Sequence, residues 1–224
     1  MDERQDHRQL FDSIGKRLAE TFGVPNLDNQ RSAVDELVLT YLSQNTNDVN
    51  RDKAFVELKR RFKDYEAVRD ADPQEVIDSV RVAGLANQKG PNIQAGLKAI
   101  SDHCGEISLD FLKEMEMEDA RGWLTSLRGV GPKTAAIVLV FSLGMPAFPV
   151  DTHIYRVSGR IGFRPLNLDV VRTHTYLESI GDPSQFGPLH LNLIRLEREI
   201  CQARKPKCPI CAVFNLCRFP NKTV

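Results

Sequence analysis

The sequence contains no apolar run approaching the roughly 20 residues that a membrane-crossing helix needs. It has no low-complexity linker and no repeat of fixed period, so arrays and solenoids are excluded. No stretch alternates apolar and polar residues as a half-buried strand does. Net charge is also missing: 30 basic side chains balance 30 acidic ones, which by itself weighs against a nucleic-acid partner. The first residues, MDERQDHRQL, are polar and mixed in sign. They form neither a secretory signal nor an arginine-rich, acid-poor transit segment, and a cytoplasmic location is expected. Cysteine is scarce until the end, since of five only Cys104 precedes position 201. That distribution does not suit the dispersed disulfides of a secreted domain, and Cys104 reads as a small buried side chain.

What is present is helical spacing. Val34, Leu37, Val38, Tyr41 and Leu42 recur at threes and fours, as do Phe55, Leu58 and Phe62. Val76, Ile77 and Val80 predict a helix after Asp72-Pro73, and Ile93, Leu97 and Ile100 another. Leu109, Phe111 and Leu112 mark a short element of either type. Trp123, Leu124 and Leu127 lead into a glycine turn, with helix resuming over 135–141, again at 152–159 and finally over 191–200. Loops are expected at 84–87, 144–149, around Pro165 and at 181–183. The class is all-α.

Charge is unevenly spread. Residues 1–120 hold 16 basic and 24 acidic side chains, whereas 121–165 hold six basic residues against Asp151 alone, and 195–224 hold seven against two. Positive charge therefore gathers around two features, where a phosphate backbone would be held. One is the turn Leu127-Arg128-Gly129-Val130-Gly131-Pro132-Lys133-Thr134. Its glycines permit close approach, Val130 can tuck between helices, and Pro132 suits a first helical turn. Exposed N–H groups at such a terminus bind phosphate, although a GxG also serves as a plain helix connection. A P-loop is excluded, because the strand and the full glycine spacing are absent. The other feature is Cys201-x6-Cys208-x2-Cys211-x5-Cys217. Four thiolates there could ligate zinc or a cubane iron–sulfur cluster.

LRGVGPKTA followed by VDTHIYRV resembles the helix–hairpin–helix and Gly/Pro-Asp signature of base-excision DNA glycosylases, and within them the endonuclease III family. The likeness runs from about Val34 to Cys217. It implies a two-lobed helical fold: residues 30–145 as a six-helix barrel domain with the hairpin, and 1–29 plus 146–224 as an iron–sulfur domain. A DNA cleft lies between such lobes, and the target nucleotide is flipped out of the duplex. The resemblance makes Lys133 the nucleophile that attacks C1′ and forms a Schiff base, which demands a lowered lysine pKa. It makes Asp151 the catalytic carboxylate, though an Asp at that position also reads as an N-cap. His153 reads as structural, and Arg156 and Arg160 as packing or phosphate contacts. The cysteine spacing resembles the family's [4Fe–4S] motif, making Cys201, Cys208, Cys211 and Cys217 its ligands. Gly129, Val130, Gly131 and Thr134 become DNA contacts.

Some positions depart from the family pattern. Leu42-Ser43-Gln44-Asn45-Thr46-Asn47-Asp48 resembles LSAQATD, where a glutamine fills the gap left by the flipped nucleotide; here Gln44 or Asn45 takes that role. In Gly84-Leu85-Ala86-Asn87-Gln88-Lys89, the second intercalating loop, Ala86 replaces a common aromatic and Leu85 is the wedge. Leu196-Glu197-Arg198 stands where the family has His-Gly-Arg. The expected function is a bifunctional glycosylase and AP lyase removing oxidised pyrimidines such as thymine glycol from double-stranded DNA, as a monomer in a bacterial or archaeal cell. The alternatives are a monofunctional uracil or thymine mismatch glycosylase and a non-enzymatic DNA-binding scaffold. Adenine removal is disfavoured, because Thr40 stands where that relative has glutamate.

Overall fold

The computed structural model describes residues 2–27 and 31–222, and no strand occurs among them. The helices are α1 (Glu3–Phe22), α2 (Ala33–Ser43), α3 (Asp48–Arg61), α4 (Tyr65–Asp70), α5 (Pro73–Ser79), α6 (Ala86–Cys104), α7 (Met117–Ser126), α8 (Pro132–Ser142), α9 (Thr152–Ile161), α10 (Val170–Ile180) and α11 (Phe186–Glu199). The fold is all-α. Many starts are written locally: Ser32, Asn47, Asp64, Asp72 and Asp169 each accept a hydrogen bond from a first-turn N–H. Each such cap contributes about 1 kcal/mol. No helix among the described residues is long and apolar enough to cross a membrane.

The chain divides into two compact units. Arg31–Met145 form one, and the described residues before position 31 and from Pro146 onward form the other. In the first, α2 packs against α8, α3 and α6, and α7 packs against α8. Both α2 and α8 are buried along nearly their whole length. Mostly apolar helices belong in a core, and these two pack in its middle with Leu58, Ile93, Leu97 and Leu124 also buried. The unit holds seven α-helices where the resemblance implies six, but α4 and α5 are each under two turns long.

The second unit packs α1 and α9 on α11, with α10 against α1. Its core is a knot of phenylalanines. Phe11 meets Phe148 and Phe163 edge-on at 5.7 Å, and Phe148 meets Phe186 at 5.5 Å. Gly181 makes room for them, since a Cβ there would lie 2.6 Å from both the Phe11 and Phe186 rings.

Several features differ from the sequence reading. Residues 3–22, for which no helix was expected, form the 20-residue α1, and α4 and α10 were equally unexpected. The last α-helix begins at Phe186 rather than Leu191. Cys104 is exposed, not buried, because it is the last residue of α6 and its thiol reaches the carbonyls of Ile100 and Glu106.

Candidate functional site

The glycine turn connects α7 and α8 tightly. Val130 N–H donates to the Leu127 carbonyl at 3.0 Å, and Gly129 adopts a φ of 81° that favours glycine. A Cβ on Gly129 would also lie 2.5 Å from the Asn92 amide nitrogen. Val130 is buried, whereas Gly129 and Gly131 are exposed and Gly131 faces open space. Pro132 and Lys133 open α8, and Thr134 behind them is buried. The end of α2 braces the turn: Tyr41 Oη donates to the Arg128 carbonyl and Gln44 Nε2 to the Gly129 carbonyl, both at 3.0 Å.

Lys133 is half-buried in this setting. Its charge acts on Glu36 of α2, which also pairs with Arg31 at 3.7 Å. Burial pushes the Glu36 carboxyl above its usual value, and Arg31, Arg51 and Lys133 pull partly against that. No sequence pattern singled out Glu36, whose neighbours became evident only in three dimensions.

The two segments expected as wedges belong to the same unit. Asn45 is exposed with φ 50°, and Leu85 is 51% exposed with φ 49°; both occupy the left-handed region. Gln44 differs, because its amide is committed to the hairpin carbonyl.

Asp151 lies in the other unit, as the N-cap of α9. Its Oδ1 accepts from the N–H groups of His153 at 2.9 Å and Ile154 at 2.8 Å. Both capping bonds use Oδ1. The segment leading into it is held firmly: His174 Nδ1 bonds the Phe148 carbonyl at 3.0 Å, His190 Nδ1 bonds the Pro149 carbonyl at 2.9 Å, and Glu178 accepts the Phe148 N–H at 2.8 Å. A carbonyl only accepts, so both histidines carry their proton on Nδ1 here. His174 and Glu178 were not legible in the sequence, as their partner lies 26 and 30 positions away. Just beyond Asp151, the buried Glu197 holds His153 at 2.8 Å and also pairs with Arg156.

The four late cysteines line one pocket, together with Leu196, Ile200, Val213 and Phe214. Burial pushes the Cys211 and Cys217 thiols up, and the neighbouring thiols add to the effect. No group of three or more His, Cys, Asp or Glu among the described residues is arranged to hold a metal ion. Four cysteines sharing one pocket are a donor set suited to a cluster with one cysteine on each iron.

Arg160 anchors the cysteine loop. Its guanidinium donates to the carbonyls of Gln202 at 2.8 Å and Ala203 at 2.9 Å. It and Arg156 are thus packing residues. Much of the local basic excess is similarly committed: Arg164 is buried on the Tyr155 carbonyl, Arg195 pairs with Glu199, and Arg218 pairs with Asp6. Arg128, Arg204, Lys205 and Lys207 remain exposed.

Comparison with known proteins agrees with this architecture. Residues 38–179 match the HhH-GPD superfamily base excision DNA repair protein family. The chain is 32% identical to endonuclease III of Sulfolobus acidocaldarius over 84% of this chain and 83% of that one. It is 28% identical to endonuclease III of Thermotoga maritima over 94% and 93%. A solved trapped covalent intermediate of endonuclease III with DNA superposes with a TM-score of 0.77 at 29% identity, covering 97% of each chain. The chain belongs to the endonuclease III family of the HhH-GPD superfamily of base-excision DNA repair proteins.

Proposed function

We propose that this base-excision DNA glycosylase is bifunctional, removing an oxidised pyrimidine such as thymine glycol from duplex DNA and then cleaving the strand with Lys133. The observation that carries the reading is Lys133 itself, half-buried on the first turn of α8 directly after a tight Gly129–Gly131 hairpin. A neutral Nζ attacks C1′ of the extruded nucleotide, and the base leaves with the C1′–N bond electrons and takes up a proton. Loss of a proton from nitrogen and opening of the sugar give an iminium on C1′. This acidifies the C2′ hydrogen; its removal expels the 3′ phosphate, and water then releases Lys133. Asp151 stabilises positive charge on the sugar, or handles a proton, with the oxygen that its capping role leaves over.

For DNA, the exposed Gly129 and Gly131 and the first-turn N–H groups of α8 hold a phosphate, supported by the exposed Arg128. Asn45 fills the gap opposite the orphaned base, because Gln44 already spends its amide on Gly129. Leu85 is the apolar wedge. Cys201, Cys208, Cys211 and Cys217 hold a [4Fe–4S] cluster, whose contribution is structural, pinning the loop that carries Arg204, Lys205 and Lys207. Lys133→Gln tests the reading. Strand cleavage of a duplex with one thymine glycol should vanish while binding to that duplex persists, whereas retained cleavage removes Lys133 as nucleophile.

A further inference from the structure

Lys89 is a basic side chain that the reaction does not use. It is 1% exposed, and no carboxylate pairs with it among the described residues. Burial pushes its ammonium below the usual lysine value. An uncompensated buried charge is costly, so the site must answer it with oriented dipoles. It does so with two carbonyls: Nζ donates to Leu42 O at 2.7 Å and to Ala83 O at 2.8 Å. Leu42 lies in the last turn of α2, and Ala83 ends the 3₁₀ turn Arg81–Ala83. The carbonyls at a helix end lack helical partners and carry its negative dipole. One ammonium therefore caps two helical ends at once.

Immediately beyond each end the backbone enters the left-handed region, at Asn45 with φ 50° and at Leu85 with φ 49°. For a branched residue such as leucine that conformation persists only where the surroundings enforce it. Both side chains are exposed. The two segments are far apart in sequence, 47 residues separating Lys89 from Leu42, but only six separating it from Ala83.

We propose that Lys89 is a positioning residue that locks the Asn45 and Leu85 wedges in one fixed relation, so that both enter the duplex together when the lesion leaves it. The proposal rests on the wedge reading given under Proposed function. Its consequence is selective. Duplex substrates require the wedges, but an abasic site in single-stranded DNA offers no stack to open and no orphaned base to meet.

The test compares Lys89→Met, Asn45→Ala, Leu85→Ala and the double variant Lys89→Met/Leu85→Ala, in the full chain. Single-turnover rates are measured on a thymine glycol duplex, and borohydride trapping on a single-stranded abasic oligonucleotide. Lys89→Met should slow the duplex reaction on the order of 10²-fold, the scale of an ångström-sized misplacement. It should leave single-strand trapping within about twofold, the margin of an uncoupled site. The double variant should be scarcely slower than Lys89→Met alone. Lys89→Gln keeps two amide N–H donors and should recover part of the duplex rate, and it carries the comparison if Lys89→Met does not fold. Equal losses on both substrates, or additive losses in the double variant, overturn the proposal in favour of a general structural role. Impaired Asn45→Ala and Leu85→Ala beside a normal Lys89→Met overturn the clamp alone. Normal duplex rates in both alanine variants overturn the wedge reading and the clamp with it.

Discussion

Replacing Asp151 by Asn and, separately, by Ala divides its capping work from its chemistry. Ala removes the acceptor that holds the His153 and Ile154 N–H groups at 2.9 and 2.8 Å. Loss of an N-cap costs about 1 kcal/mol, within a range of about 0.5–2. For a chain of this size each kcal/mol lowers Tm by roughly 2–4 °C. Asn keeps a carbonyl oxygen where Oδ1 stands and caps almost as well as Asp, so its stability should stay within about 0.5 kcal/mol of the parent. The pinning of residues 148 and 149 by His174, Glu178 and His190 keeps the backbone at Asp151 in place in both variants. Both lose the negative charge, and both should slow single-turnover base release by about 10²–10⁴-fold, the scale of a general acid–base group. Thermal unfolding and single-turnover kinetics on one lesion duplex read the two effects separately. An Asn variant that releases base at the parental rate would reduce Asp151 to a cap. An Ala variant as stable as the parent would refute the capping argument.

Two further outcomes follow from the same geometry. Cys208→Ser should lose iron and visible absorbance and expose the 201–217 loop to protease, since Cys208 lines the pocket with the other three thiols; full iron content would contradict its role as a ligand. Glu36→Gln should be at least as stable as the parent at neutral pH. Burial raises the folded carboxyl above its usual value, so the folded state binds that proton more tightly than the unfolded chain does. Stability is then lost as pH rises through the window between the two values, a loss that Gln escapes. The difference should close as pH falls into the ordinary carboxylate range, and a Gln variant less stable at neutral pH would refute the sign.

The parts of the molecule that local chemistry writes were readable in advance. The Gly129–Lys133 turn, the proline at the start of α8 and the apolar spacing of α2 all carry their signal within a few residues. Asp151 was readable both as a cap and as a candidate catalytic group. Other parts depend on partners distant in the chain. Lys89 reads as one more polar residue until the carbonyl of Leu42 closes on it. Arg160 reads equally as a phosphate ligand until the carbonyls of Gln202 and Ala203 claim it. The same holds for Phe11, whose aromatic partners begin at Phe148. It also holds for Glu197, a departure from the family pattern whose consequence is the grip on His153 and Arg156. Positive charge counted along the sequence overstated what the surface offers, because several arginines are spent internally.

The proposed reaction turns on a covalent bond between Lys133 and the sugar of a damaged nucleotide. Borohydride trapping tests it most directly, with duplexes carrying a single thymine glycol, dihydrouracil, uracil, mismatched thymine or abasic site, and mass spectrometry of the adduct. A trapped complex with an oxidised pyrimidine is expected, attached at Lys133 and lost in Lys133→Gln. Base release without any trapped complex, or an adduct at a different residue, would contradict it.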